Sequence, residues 1–167
     1  MTTITRERPD SDDARTLIAE LDAYLAPLYP QQSQHGLSVA ALIAENVHFF
    51  VLRRENSAAG CGGVKFYGRE YAEIKRMYVR TSFRGQGLGK RLLNYLETFA
   101  SGEGIPIIRL ETGILQPEAQ RLYESLGYRS RSPFANYGED PLSLFYEKDL
   151  QGNYPALLDN DSTSTKT

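Results

Sequence analysis

Apolar positions change their period several times along the 167-residue chain, and each change marks a new element. Residues 2–8 alternate as a short strand that Pro9 and Asp10 end. Ala14, Leu17, Ile18, Leu21, Tyr24, Leu25 and Leu28 then recur at helical spacing, with Asp10 or Ser11 as cap and Asp12 and Asp13 in the first turn. This helix is predicted to stop before Pro30. A polar loop over 29–36 leads to a short helix from Ser38, as cap, to Glu45. Strands are predicted at Val47–Arg53, Ala58–Tyr67 and 73–79, with turns at 55–57 and 68–70, which makes an antiparallel meander. Gly60, Gly62 and Gly63 inside the second of these predict a bulge or a close neighbour. Leu88, Leu92, Leu93, Tyr95, Leu96 and Phe99 return to helical spacing, and residues 101–104 stop that helix. A strand follows at Ile105–Thr112, so helix 88–100 joins two strands in the manner of a βαβ unit. Pro117 opens another helix whose apolar face is Ala119, Leu122, Tyr123 and Leu126, capped by Gly127. A strand starting at 128–130, a loop over 131–141 and a last strand at Leu142–Lys148 complete the pattern. Residues 1–150 are thus expected to form a single mixed α/β domain. The tail 151–167 turns polar, and its last eight residues hold no large apolar group, so disorder is expected at its end.

Composition narrows the function classes. Apolar residues make up 41% and charged residues 24%, ordinary for a soluble domain with a real core. The net charge of −2 gives no electrostatic case for nucleic acid or for an anionic membrane. The single cysteine, Cys61, excludes an intramolecular disulfide and a cysteine-based zinc cluster. His35 and His48 have no metal-like spacing, and no metal is expected. Residues 1–13 carry six charged side chains and no apolar run, so no signal peptide is expected and the cytoplasm is the default location.

The densest chemistry lies between strand 73–79 and helix 88–100. Arg84-Gly85-Gln86-Gly87-Leu88-Gly89 places three glycines in five positions immediately before a helix. A helix start offers unpaired N–H groups with partial positive charge, and glycines let an anion approach them. The nucleotide P-loop pattern fails twice: Arg84 stands where its first glycine belongs, and Arg91 where Ser or Thr belongs. The dinucleotide fingerprint fails once, because Lys90 occupies its last glycine position. The spacing R-x-x-G-x-G, carried by Arg84, Gly87 and Gly89, resembles the pyrophosphate loop of the GNAT superfamily of N-acetyltransferases. The order β-α-α-β-β-β-α-β-α-β-β matches that fold over residues 3–149. Ala119 with Leu122-Tyr123-Glu124-Ser125-Leu126-Gly127-Tyr128 resembles its A-x-x-L-Y-x-x-x-G-F element, and Gln116 departs from the asparagine of many members. Lys75–Val79 and Leu110–Gly113 resemble a subgroup of small bacterial acetyltransferases.

The resemblance implies an acyl-CoA N-acyltransferase fold: a central, mostly antiparallel sheet with one splayed parallel pair and helices on both faces. It implies acetyl-CoA as co-substrate, held by Arg84, Gly85, Gln86, Gly87, Leu88, Gly89, Lys90 and Gln116, with the backbone of Met77, Tyr78 and Val79 lying along the pantetheine arm. Transfer to a lysine-like amine, which holds its proton up to about pH 10.4, needs a proton sink. Glu73 stands eleven residues before Arg84, the offset of the catalytic glutamate in the superfamily's histone acetyltransferases, and is the first choice. Glu111 on the neighbouring strand is the second, since adjacent carboxylates raise each other's pKa. A plain charge network of Glu73, Glu111, Lys75 and Arg76 is the competing reading. Tyr123 is the candidate acid for the leaving thiolate, against the alternative of a tyrosine packed on a helix face. Cys61 reads as a small core residue rather than an acyl carrier, which favours direct transfer in a ternary complex. The acceptor is expected between loops 29–36 and 131–141, with Tyr29, His35, Arg76, Phe134 and Tyr137 as contacts. Lys75 and Arg76 are expected to meet Glu111 or a carboxylate on the acceptor; the second option would favour an amino-acid-like or other small acidic acceptor. A non-catalytic acyl-CoA sensor and a protein N-acetyltransferase are the alternatives, and a homodimer is left open.

Overall fold

The computed structural model describes residues 1–152; the predicted disorder at the end of the tail lies outside the described residues. Seven strands form one sheet: β1 (Thr2–Arg6), β2 (His48–Arg54), β3 (Ser57–Tyr67), β4 (Tyr71–Val79), β5 (Ile107–Gly113), β6 (Arg129–Arg131) and β7 (Ser143–Asp149). Their spatial order is β1-β2-β3-β4-β5-β7-β6. Every neighbouring pair is antiparallel except β4 and β5, which are parallel and joined by α3 (Leu88–Gly102). The remaining helices are α1 (Asp12–Leu25), α2 (Val39–Ala44) and α4 (Pro117–Ser125). No helix among the described residues is long and apolar enough to cross a membrane.

Strand β2 shows why the sheet is covered on both faces. Phe50 and Leu52 join Leu92, Leu93 and Leu96 of α3 in one core cluster. The intervening Phe49 and Val51 join Leu17 and Ile18 of α1 and Leu42 of α2 in another. Alternate residues of a strand point to opposite faces, so a strand sandwiched between helices reads as a continuous apolar run. Gly62 of β3 lies against α3: an added Cβ would come within 2.9 Å of Leu96 Cδ1. A third, aromatic cluster of Tyr71, Phe134 and Phe145 sits beneath the loop between β6 and β7.

Two of the boundaries that differ from the pattern-based expectation trace to prolines. Helix α1 ends at Leu25, three residues earlier than its last helically spaced apolar residue. Pro27 is the cause: it offers no N–H to continue the ladder, and the chain turns through bonds from Leu28 N and Tyr29 N to the Leu25 carbonyl. Strand β5 starts at Ile107 instead of Ile105, since Pro106 cannot donate and Ile105 N is used by the Ala100 carbonyl.

The feature that positions the site is a bulge between β3 and β4. Cys61 pairs with Tyr78 and Gly63 with Lys75, so Arg76 and Met77 of β4 oppose the single residue Gly62. Arg76 takes φ of 54°. The glycines had pointed to a bulge here, but the extra residue belongs to β4. A bulge bends its strand, and β4 leaves β5 at once: the parallel ladder consists of Ala72–Ile108 and Glu73–Arg109 only. The backbone of 77–79 therefore keeps its β3 partners and faces an open splay on its other side.

Candidate active site

Two clefts flank the splay and meet at Met77, Gln116 and Tyr123, which line both. The larger, about 470 Å³, runs along Met77, Tyr78 and Val79 to the head of α3. Its floor is backbone. Gly85 and Gly87 both adopt left-handed conformations, at φ 78° and 74°, and an added Cβ on either would point into open space. Such φ values favour glycine. The contrast with the N-termini of α1 and α2 is informative. Ser11 caps α1 through Ala14 N, at 3.2 Å, and Ser38 caps α2 through Ala41 N, at 3.1 Å. Helix α3 has no side-chain cap and no acidic residue in its first turn. Its leading N–H groups and dipole are left for an anion, as a diphosphate requires. Arg84 donates to the Val79 carbonyl at 3.0 Å, stacks over Tyr24 and approaches Glu118 at 3.6 Å, bridging β4, α1 and α4 around the cleft. Lys90 also lines this cleft, while Gln86 is exposed on the loop and does not. Tyr24, Phe83, Pro117 and Glu118 line it without having been singled out from the sequence; Tyr24 carried a signal in its apolar spacing on α1, the others none.

The smaller cleft, about 100 Å³, is made of side chains. Glu73, Lys75, Arg76, Glu111, Tyr29, His35 and Tyr137 all reach it. Glu73 is only 1% exposed, and both its oxygens are occupied. Oε1 accepts from Tyr67 OH at 3.0 Å; Oε2 accepts from Tyr137 OH at 2.5 Å and Lys75 Nζ at 3.3 Å. Glu111 is different. It accepts no hydrogen bond and forms no ion pair among the described residues, and burial pushes its carboxyl up to about 7, with Glu73 adding to the rise and Lys75 opposing it. Of the two candidate bases, Glu111 has its carboxyl lone pairs free among the described residues, whereas the Glu73 carboxylate already holds three hydrogen bonds. Tyr123 is 7% exposed and its phenol is held well above its usual range by burial, so it keeps its proton.

Several other expectations change. Arg76 does not meet Glu111. Its guanidinium turns to α1, donating to the Asp22 carboxylate and to the Ile18 carbonyl at 3.4 Å, because the bulge rotates it out of the strand's alternation. Gly36 lies directly on it; an added Cβ would overlap Arg76 Nη1. Lys75 pairs with Glu73 rather than Glu111. Phe134 does not reach the cleft: it packs behind Tyr137, between Tyr71 and Phe145. Tyr29 lies on Gly113, accepts from Leu115 N at 3.0 Å and donates to Gln116 Oε1 at 3.3 Å, which pins loop 29–36 to the end of β5. Gln116 Oε1 also accepts from Gly113 N at 3.2 Å, so it shapes the corner between the clefts. His35 stands 3.6 Å from Asp140 and edge-on to Tyr137, tying the two loops together. Tyr67 and Asp140 were missed, and neither carries a motif. Cys61 is fully buried with its thiol pushed up to about 12, as a core residue would be. His48 packs against Phe66 and Phe99. The described residues contain no cluster of His, Cys, Asp or Glu able to hold a metal.

An acetyltransferase (GNAT) family profile matches residues 12–128, the stretch from α1 to the end of α4. The chain belongs to the GNAT acetyltransferase family. Within it, an IAA acetyltransferase from Azospirillum brasilense is 43% identical over 149 residues, covering 89% of this chain and 97% of the relative. An N-acetyltransferase of Bacillus subtilis, YsnE, is 35% identical over 123 residues, covering 72% and 82%. Among solved structures, a Klebsiella pneumoniae protein assigned to the acyl-CoA N-acyltransferases is 38% identical with a TM-score of 0.77, covering 90% of this chain and 98% of that one. More distant GNAT structures share the fold, including the PaiA N-acetyltransferase of Thermoplasma acidophilum in complex with coenzyme A, at 18% identity and a TM-score of 0.70 over 89% of this chain and 99% of that one. The uncapped α3 of this GNAT protein, with its glycine cradle and open β4 rail, fits an anionic, strand-like ligand of that kind.

Proposed function

We propose that this protein transfers the acetyl group of acetyl-CoA to the amine of a small-molecule or amino-acid-like acceptor, directly within a ternary complex. The observation that carries this reading is the junction of the clefts: Tyr123 lines both, while Glu111, free of partners, lies on the acceptor side. Acetyl-CoA supplies the activated acyl group as a thioester. The head of α3 and Gly85, Gly87 and Gly89 hold its diphosphate through backbone N–H groups, with Arg84, Gln86, Leu88 and Lys90 around them. Met77, Tyr78 and Val79 align its arm as an added strand would, which brings the reacting end to the splay. Glu111 takes the proton that an ammonium must lose before it can attack, and a group titrating near 7 does so at neutral pH. Tyr123 keeps a phenolic proton available to the departing sulfur. Tyr29, His35 and Tyr137 wall the acceptor cleft, and its small volume favours a small amine over a polypeptide segment.

Cys61 is buried against the Arg76 carbonyl, with its Sγ 3.5 Å away and its thiol protonated, which supports transfer without an acyl-cysteine. The test is coenzyme A release from acetyl-CoA over a panel of amines, each offered with and without a carboxylate. Saturable release with at least one small amine is expected. Tight coenzyme A binding without thioester consumption across the panel would replace the enzyme reading by a sensing role. Equal rates within each pair would remove the amino-acid-like preference.

A further inference from the structure

Resting on the reading of Glu111 as the base, we propose that Glu73 and Lys75 are positioning residues for it: an opposed pair, locked to each other and to Tyr137, that sets one fixed negative and one fixed positive charge beside Glu111. The locking is complete. Glu73, Lys75 and Tyr137 form a closed triangle, with Tyr137 OH donating to Glu73 Oε2 at 2.5 Å and Lys75 Nζ donating to Tyr137 OH at 2.8 Å and to Glu73 Oε2 at 3.3 Å. Tyr67 OH fixes the other Glu73 oxygen at 3.0 Å. Residues 73 and 75 lie on the same face of β4, and both line the cleft that Glu111 enters from β5. With three of about four lone-pair sites already engaged, the Glu73 carboxylate has little left to offer an amine. A buried ion pair is also weak evidence of a purely stabilising role, because an apolar pair of similar volume serves the fold as well. The pair has a use where it stands, since a fixed charge acts on a neighbour strongly when little water intervenes.

The remaining groups around Glu111 do not displace these two. Tyr123 from α4 and Tyr29 from the segment after α1 are phenols held above their usual range. Tyr137 from the β6–β7 loop is held protonated by burial and by Glu73. Asp140 from the same loop is kept ionised chiefly by its hydrogen bond from Leu142 N, adds a weaker negative field and faces His35. Arg76 on β4 is turned to Asp22, and Arg109 on β5 itself is engaged by Glu147 at 3.2 Å. Glu73 therefore favours the protonated form of Glu111, and Lys75 the ionised form.

The test needs no acceptor. Full-length protein labelled with 13C at the glutamate carboxyls is titrated by NMR between about pH 4 and 9, and Glu111→Gln identifies the Glu111 resonance. A wild-type midpoint near 7 is expected. Glu73→Gln is expected to move it down, and Lys75→Met up, each by about half a pH unit or more. Lys75→Arg, which keeps the charge and is the safer variant for folding, is expected to leave it near the wild-type position. Midpoints unmoved by the two charge-removing variants, or moved in the same direction, would overturn the proposal while leaving Glu111 as the base. A Lys75→Arg midpoint displaced as far as that of Lys75→Met would do the same. If no resonance lost in Glu111→Gln titrates near neutrality, the base assignment falls and the pair's role with it.

Discussion

The cleft at the head of α3 is built from backbone, and the cleft between loops 29–36 and 131–141 is built from side chains. The first is centred on two nearly contiguous stretches, 77–79 and 84–90, with glycines where Cβ atoms are missing, and side chains of α1 and α4 close it. The second draws on α1's trailing segment, β4, β5 and the β6–β7 loop, residues up to about a hundred positions apart. A contiguous backbone site tolerates side-chain variation provided its φ angles survive. A site of converging side chains depends on every element that carries one, so it can change its ligand without changing the fold.

That difference can be broken from either side. The largest effect is expected for Glu111→Gln: turnover should fall by about a hundredfold or more at saturating acetyl-CoA, the range of general-base loss, while coenzyme A affinity by calorimetry stays unchanged. Tyr123→Phe comes next. It should lower turnover at least about tenfold with little change in coenzyme A affinity, since it removes a proton donor and leaves the packing; an unchanged rate would remove its assignment. On the other cleft, Gly87→Ala should weaken coenzyme A binding about fivefold and lower stability by about 1 kcal/mol, with turnover at saturation preserved, because an alanine held in that left-handed conformation is strained and the turn shifts to relieve it.

The smallest effect concerns pH. A carboxyl raised from 4.5 to about 7 in the folded protein binds its proton more tightly than in the unfolded chain. Stability contributed by the protonated form is therefore full below about 4.5 and is lost as pH rises to 7. Glu111→Gln should accordingly be more stable than wild type above neutrality, by about 1 kcal/mol after allowing for partial exposure, and gain nothing at acid pH. Thermal melts at both ends check this. The same midpoint requires the wild-type rate to climb through about pH 7 and then level off.

Legibility from the sequence followed the same division. Order and type of all eleven major elements were readable, and so was the splay, inferred through the family resemblance. Helix boundaries failed at Pro27 and strand boundaries at Pro106, where a missing N–H outweighed an apolar pattern. In the site, Tyr29, His35 and Tyr137 line the smaller cleft, where their loops led them to be expected, and Phe134 does not, since an aromatic in a loop can serve the wall or the core behind it. Glu73 and Glu111 were both found, and they line one cleft. Nothing in a linear pattern reveals that Tyr67, Lys75 and Tyr137 converge on one carboxylate and leave the other bare.

What the amino-acid sequence determined alone is the local part: the strand, the glycine turn and the uncapped helix from Glu73 to Phe99, because hydrophobic period, φ > 0 positions and absent caps are properties of neighbours in the chain. What only the tertiary structure decided is the chemistry of the acidic pair. The bulge at Arg76 turns one cation away, the β6–β7 loop brings Tyr137 onto Glu73, and burial without a partner lifts Glu111 towards neutrality. Protonation depends on desolvation and on charges from distant segments, and these exist only once the sheet has closed.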